Sequence, residues 1–201
     1  MGKTRYQNLI AYQRAYPHKT LPKDFCLRGT THFLARYYHL LALTMTLAEQ
    51  FDARDKPLLK KILHEYERCH EQGLDVRDEV ALCAMLLYQY MDWRDVRSLY
   101  RAKFCSGGDT FFSLDIELVF GFDAKETIAY LKKLPKKQRK PIDREIIRAI
   151  EYYLNQPNAV YRNRAEYLRR MDEKGLIAYR CGELWEIYGK ELAGLLDDKA
   201  V

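Results

Sequence analysis

The sequence predicts an all-α fold: a single-domain multi-helix bundle of about nine helices over residues 1–201, superficially like a helical-repeat stack. Three observations predict it. Apolar side chains recur at three- and four-residue intervals nearly from end to end. Acid-led helix starts stand before several of these stripes. Gly and Pro are few, 10 and 6, and no Gly/Ser-rich linker divides the chain. A chain of 201 residues can bury one real core, and a second independent one is not expected. No self-similar period with a recurring signature is read, so an array of true repeats is not expected.

Tyr6, Leu9, Ile10 and Tyr16 suggest an opening helix. Thr30 or Thr31 is expected to cap a long central helix that turns Phe33, Tyr37, Leu40, Leu41, Thr44, Leu47 and Phe51 inward. Asp55-Lys56-Pro57 reads as a helix start, because Pro in a first turn lacks only an N–H that has no helical partner. Leu58, Leu59, Ile62 and Tyr66 form its stripe, and Gly73 is its expected stop. A further start at Asp75 to Asp78 leads into Val80, Leu82, Cys83, Leu86, Leu87 and Tyr90. Asp92 is read as the cap of the next helix, which carries Trp93, Val96, Leu99, Tyr100 and Phe104 and ends at Gly107-Gly108. Asp123 with Glu126 has the form of a capping box before Ile128 to Leu134. Beyond Pro141, Ile142, Ile146, Ile147, Ile150, Tyr153 and Leu154 keep helical spacing. Tyr161, Ala165 and Leu168 resume it after Asn155 to Asn158, and a last helix runs around Arg180 to Leu196. Residues 111–120 alternate like a strand, but no other segment alternates as cleanly, so a helix is expected there.

Composition narrows the classes of function. The N-terminus is polar with no secretory core segment, and the most apolar stretch, Phe33 to Leu47, is interrupted by Arg36 and His39. That points to a cytoplasmic protein with no membrane span. Cys26, Cys69, Cys83, Cys105 and Cys181 are odd in number and lack a C-x-x-C pair, so reduced thiols are expected rather than a disulfide framework or zinc site. Net charge is +6 but uneven: residues 31–122 carry −3 and residues 123–170 carry +7. Local fields of this kind steer association more than the total does.

A search for chemistry finds no assembled set. Glu67 and His70 have the Glu-x-x-His spacing of di-iron bundles, but the second copy that such a centre needs is missing, so no metal or cofactor is expected. There is no Gly-x-Ser-x-Gly elbow and no phosphate-cradling glycine loop. Cys69 and His70 are adjacent on a helix and point about 100° apart, so they cannot act as a pair. The strongest local charge feature is the basic loop with Lys132, Lys133, Lys136, Lys137, Arg139 and Lys140, near Tyr130, Tyr152 and Tyr153. Such a loop can hold phosphates, with rings nearby for stacking. Asp115 and Glu117 interrupt an apolar run, and an unpaired buried carboxylate is costly. They are expected either to face solvent or to pair with a base such as Arg97 or Arg101.

The closing stretch, Tyr179-Arg180-Cys181-Gly182-Glu183-Leu184-Trp185-Glu186 followed by Leu192-Ala193-Gly194-Leu195-Leu196-Asp197-Asp198, resembles the C-terminal end of helical immunity proteins of bacterial polymorphic-toxin systems. It is most similar to the PoNi type, in which a Tyr-x-Gly-Tyr-Trp-x-x-Glu segment leads to a short apolar helix and an Asp-Asp pair. The block Glu79 to Phe120 is similar in layout. The resemblance implies a cytoplasmic immunity protein, not an enzyme, that neutralises a cognate toxin by binding and occluding it. On that reading Asp92, Asp95, Asp115 and Glu117 supply charge-assisted contacts and Trp93 an apolar anchor. The alternative expectation is a nucleic-acid-associated helical protein using the basic segment 132–170.

Overall fold

The helical spacing becomes ten α-helices among the described residues, and those residues contain no strand. The structure is a computed structural model and describes residues 2–27, 32–71, 74–104 and 114–197. The helices are α1 (Lys3–Ala15), α2 (Phe33–Ala48), α3 (Lys56–Glu71), α4 (Arg77–Gln89), α5 (Val96–Phe104), α6 (Glu117–Phe120), α7 (Ala124–Lys133), α8 (Pro141–Leu154), α9 (Arg164–Glu173) and α10 (Leu176–Leu196). The expected caps Thr30 and Thr31, the stop at Gly73, the end at Gly107-Gly108, Cys105, Asp109, Phe112 and Ser113 lie outside the described residues. Of the strand-like segment, Glu117–Phe120 is one helical turn, ended by Gly121. Gly121 has φ +69°, and a Cβ there would come 2.8 Å from Thr127 Oγ1, so no other residue fits without strain. No described helix is long and apolar enough to cross a membrane.

Two helices are apolar on nearly every side, and these are the ones that end up in the middle. All of 79–88 in α4 is buried, and so are 40–47 in α2. An all-round apolar helix must be covered on every face. α3 and α5 pack on α4, while α10 packs on both α2 and α4 and buries Leu184 and Leu192. Tyrosines fill the seams with their hydroxyls satisfied: Tyr6 meets His39 Nδ1 at 2.9 Å, Tyr66 meets Thr44 Oγ1 at 3.0 Å, and Tyr88 donates to the Gly121 carbonyl at 3.1 Å.

The helix starts follow one recurring device. Asp-x-Arg-Asp occurs at 52–55 and again at 92–95, 40 residues apart, an interval typical of helix-pair repeats. In each copy the first Asp accepts a hydrogen bond from the backbone N–H of the Arg, at 2.7 Å for Asp52 and 2.8 Å for Asp92. The second Asp accepts one from the N–H of the first, at 2.9 Å and 2.8 Å. Each copy thus satisfies helix-end donors that have no partner within the helix. Asp52 is therefore the cap ahead of α3, where the sequence pointed to Asp55. At α8 the device is halved: Lys140 replaces the first Asp, and Asp143 accepts the Lys140 N–H at 2.8 Å.

The inner aspartate of each device is buried and meets a cation from an earlier helix. Arg14 of α1 forms a two-pronged pair with Asp55, at 2.6 and 2.7 Å. Lys56 of α3 lies 2.6 Å from Asp95, and Lys60 also pairs with it. Arg97 of α5 grips Asp143 at 2.6 and 2.8 Å. The N-terminal ends of α3, α5 and α8 are thereby tied to α1, α3 and α5 respectively. Deleting one partner of a buried pair strands the other charge. Asp95→Ala is expected to cost about 3–5 kcal/mol in urea unfolding. Loss of the half-exposed cap in Asp92→Ala should cost about 1 kcal/mol from capping, before its pair with Lys56 is counted. Equal effects of the two variants would refute the assignment.

Candidate interaction surface

The acidic residues expected to face a partner are mostly turned inward. Asp95 is completely buried and engaged by Lys56 and Lys60, so it cannot contact a partner. Its Oδ1, which lacks a well-aligned hydrogen bond, has the Lys60 ammonium against it. Asp92 is half-buried and held by Arg94 at 2.9 Å and Lys56 at 2.9 Å. The Arg94 hydrogen bond is the main reason its carboxyl lies well below the usual carboxylate range, with Lys56 adding to it against the opposing effect of burial. Burial disfavours the Lys56 ammonium, but its hydrogen bonds to Asp95 and Asp92 outweigh this and raise its pKa. Trp93 is half-buried as well: its ring packs against Phe122 and Tyr130, with centroids 4.5 and 5.0 Å apart. It anchors α7 to the turn before α5 rather than standing free.

Asp115 and Glu117 part company. Asp115 is exposed and accepts a hydrogen bond from the buried Tyr167 hydroxyl at 3.0 Å. Glu117 is buried and paired with Arg162 at 2.6 Å, 45 residues further along the chain. The expected partner Arg97 is committed to Asp143 instead. Asp115 is thus the one member of the predicted acidic set that is exposed and has no cation within ion-pair distance among the described residues.

The basic segment is arranged differently. α7 ends at Lys133, Pro135 forbids its continuation, and a single turn at Lys136–Gln138 leads into α8. Arg139 folds back, donating to the Leu134 and Lys132 carbonyls at 2.7 Å each. Lys132 pairs with Glu151 at 3.2 Å across an exposed gap. Lys133, Lys136 and Lys137 are exposed and have no carboxylate within ion-pair distance among the described residues. A cleft of about 650 Å³ opens between α7 and α8, lined by Lys132, Lys136, Arg139, Lys140 and Arg144 over Leu131, Pro141 and Ile147. Further along, Arg162 is taken by Glu117, and Arg164 donates to the Tyr88 and Gln89 carbonyls beneath the rings of Tyr88 and Phe122. The segment 132–170 is therefore not uniformly available, and its free cations gather between 132 and 148. Tyr130 is occupied by Trp93, whereas Tyr152 is exposed.

The described residues contain no cluster of three metal-ligating side chains. The cysteines described are free thiols, and burial pushes Cys69 up to about 12, which keeps it protonated and unreactive at neutral pH. The shared role of Asp55, Asp95 and Asp143 as buried, cation-paired caps did not stand out in the sequence. The repeated Asp-x-Arg-Asp was the signal that could have found two of them. Glu79 was equally hidden, because it sits at the acidic start of a helix where a carboxylate is unremarkable. In the fold it is 2% exposed and its close partner is the Tyr37 hydroxyl, which donates to it. No cation lies within ion-pair distance of it among the described residues, and burial raises its pKa from 4.5 to about 7.

No protein-family model, no curated protein and no solved structure matches the chain.

Between pH 4.5 and 7 folded Glu79 keeps a proton that the unfolded chain has released, so its contribution to stability falls as pH rises through that window. Glu79→Gln keeps the oxygen that accepts from Tyr37. It is expected to stabilise the protein on the order of 3 kcal/mol at pH 8 and to have little effect at pH 4. Unfolding midpoints of the two proteins across this range test it; parallel curves would exclude the assignment.

Proposed function

We propose that the chain is a cytoplasmic immunity-type protein that neutralises a cognate toxin by binding and occluding it, with no chemistry of its own. Support comes from two sides. Of the tail that resembles PoNi-type proteins, Tyr179 to Leu196 fall on α10, which seats Leu184 and Leu192 in the core while leaving Tyr179 and Trp185 exposed. The observation that carries the reading furthest is how charge is distributed by depth. The carboxylates of Asp55, Asp95, Glu117 and Asp143 are spent inside the fold, so the concentrated exposed charge is the cationic edge around 132–148. Fixed helices presenting a charged, rigid surface suit occlusion, which requires complementarity rather than moving parts.

Nucleic acid is the second reading, and the exposed Lys133, Lys136 and Lys137 favour it. Phosphate binding through these lysines would weaken steeply with added salt.

Occlusion and enzymatic protection differ in stoichiometry. Co-expression with toxins encoded beside this gene is expected to restore growth only as the protein approaches equimolar amounts, and the two should co-purify. Full protection at strongly substoichiometric levels, or no protection from any neighbouring toxin, would remove the reading.

A further inference from the structure

We propose that the cleft between α7 and α8, continued by the groove between α3 and α5, forms one cationic docking surface for an acidic protein segment. The proposal rests on the reading that this chain works by binding a protein, and it names the chemistry of that protein's contacting face.

Charge in the cleft is real rather than cancelled. Lys136 and Arg144 are exposed and have no carboxylate within ion-pair distance among the described residues. Arg139 is held by carbonyl groups, which orient the guanidinium without neutralising it. Asp143, the carboxylate in the lining, is buried and already satisfied by Arg97 and the Lys140 N–H. α8, 14 residues long, begins in the cleft, so the positive end of its dipole adds to the side-chain field.

The second groove follows from the Arg97–Asp143 pair. Arg97 reaches from α5 to Asp143 and to the Gln138 carbonyl at 2.9 Å, tying α5 to the rim of the cleft. One turn further along α5, Arg101 lines a groove of about 350 Å³ with Lys60, Lys61 and His64 of α3. Arg101 has no carboxylate within ion-pair distance among the described residues. Lys61 is anchored by the Gln13 side chain at 2.7 Å and by the Pro17 and Lys19 carbonyls, so its charge also stays uncompensated. Glu67, near His64, is the carboxylate among the described residues lining this groove.

The floors decide between acidic protein and nucleic acid. Leu131, Pro141 and Ile147 lie under the first cleft and Leu63 under the second, and no Phe, Tyr or Trp ring is among the described residues lining either. Single-stranded nucleic acid draws much of its affinity from stacking on such rings. Arginine and lysine around an aliphatic floor suit Asp and Glu side chains alternating with aliphatic ones, each carboxylate able to take a two-pronged bond from an Arg. A cleft of about 650 Å³ is the size of a pocket that buries a short segment.

The test uses the full chain and labelled poly-L-glutamate as the acidic probe, read by fluorescence anisotropy at low salt, with single-stranded DNA of matched charge in parallel. Wild type is expected to bind poly-L-glutamate more tightly than the DNA. Lys136→Glu with Arg144→Glu should weaken this by about tenfold or more, while Lys190→Glu on α10 should not change it. The milder pair Lys136→Gln with Arg144→Gln should give an intermediate loss and stands in if the reversal unfolds the chain. Equal binding by wild type and the Gln pair, no binding by wild type, or tighter binding of DNA would each overturn the proposal. Because the probe contains no toxin, the two readings fail separately. Toxin protection that survives in a variant blind to poly-L-glutamate sinks the surface alone, and absence of protection by wild type sinks the immunity reading alone.

Discussion

Successive helices of this protein are held in register by carboxylates that do two jobs at once. Asp55, Asp95 and Asp143 each accept a backbone N–H at the start of a helix and each meet a cation sent from an earlier one. In each, the oxygen that accepts the helix-start N–H also meets the cation, and the second oxygen takes a further bond from Arg14, Lys60 or Arg97. That geometry permits little sliding, because moving a helix by one turn would break the ion pair and strand a buried charge. Taking such charges out of water is expensive, so the pairs add little net stability over a well-packed apolar replacement. Their effect is on arrangement: which helix lies beside which, and at what height.

The rest of the interior is organised around these ties. With α3 and α5 fixed, α4 can be apolar on all sides, and α10 closes over α2 and α4. Glu79 shows what a buried carboxylate looks like without this provision. Burial acts unopposed by a cation, and the Tyr37 hydroxyl is left to satisfy it. Asp95, just as deeply placed, has two lysines. The contrast lies in long-range partners and not in residue type.

Spending acids inside has a consequence outside. Once Asp143 and Glu117 are neutralised internally, Lys136, Arg144 and Arg101 remain with aliphatic surface between them and no carboxylate in contact among the described residues. An interaction surface can thus arise without any residue being placed there for catalysis, as the by-product of where the counter-charges were used.

Helix content was legible because it depends on local periodicity: the stripes of α3, α4 and α8 could be read from their spacing, and the pause at Pro135 from the chemistry of proline. The basic character of residues 132–140 was equally plain, since a run of lysines declares itself. What could not be read was depth. Asp92, Asp95, Asp115 and Glu117 look alike in a sequence, yet one is a cap, two are buried in ion pairs and one faces solvent. The reason is that burial of a carboxylate is decided by cations such as Arg162 that lie 45 residues away. Local spacing determines helices; only the packed chain determines which of their charges remain for a partner.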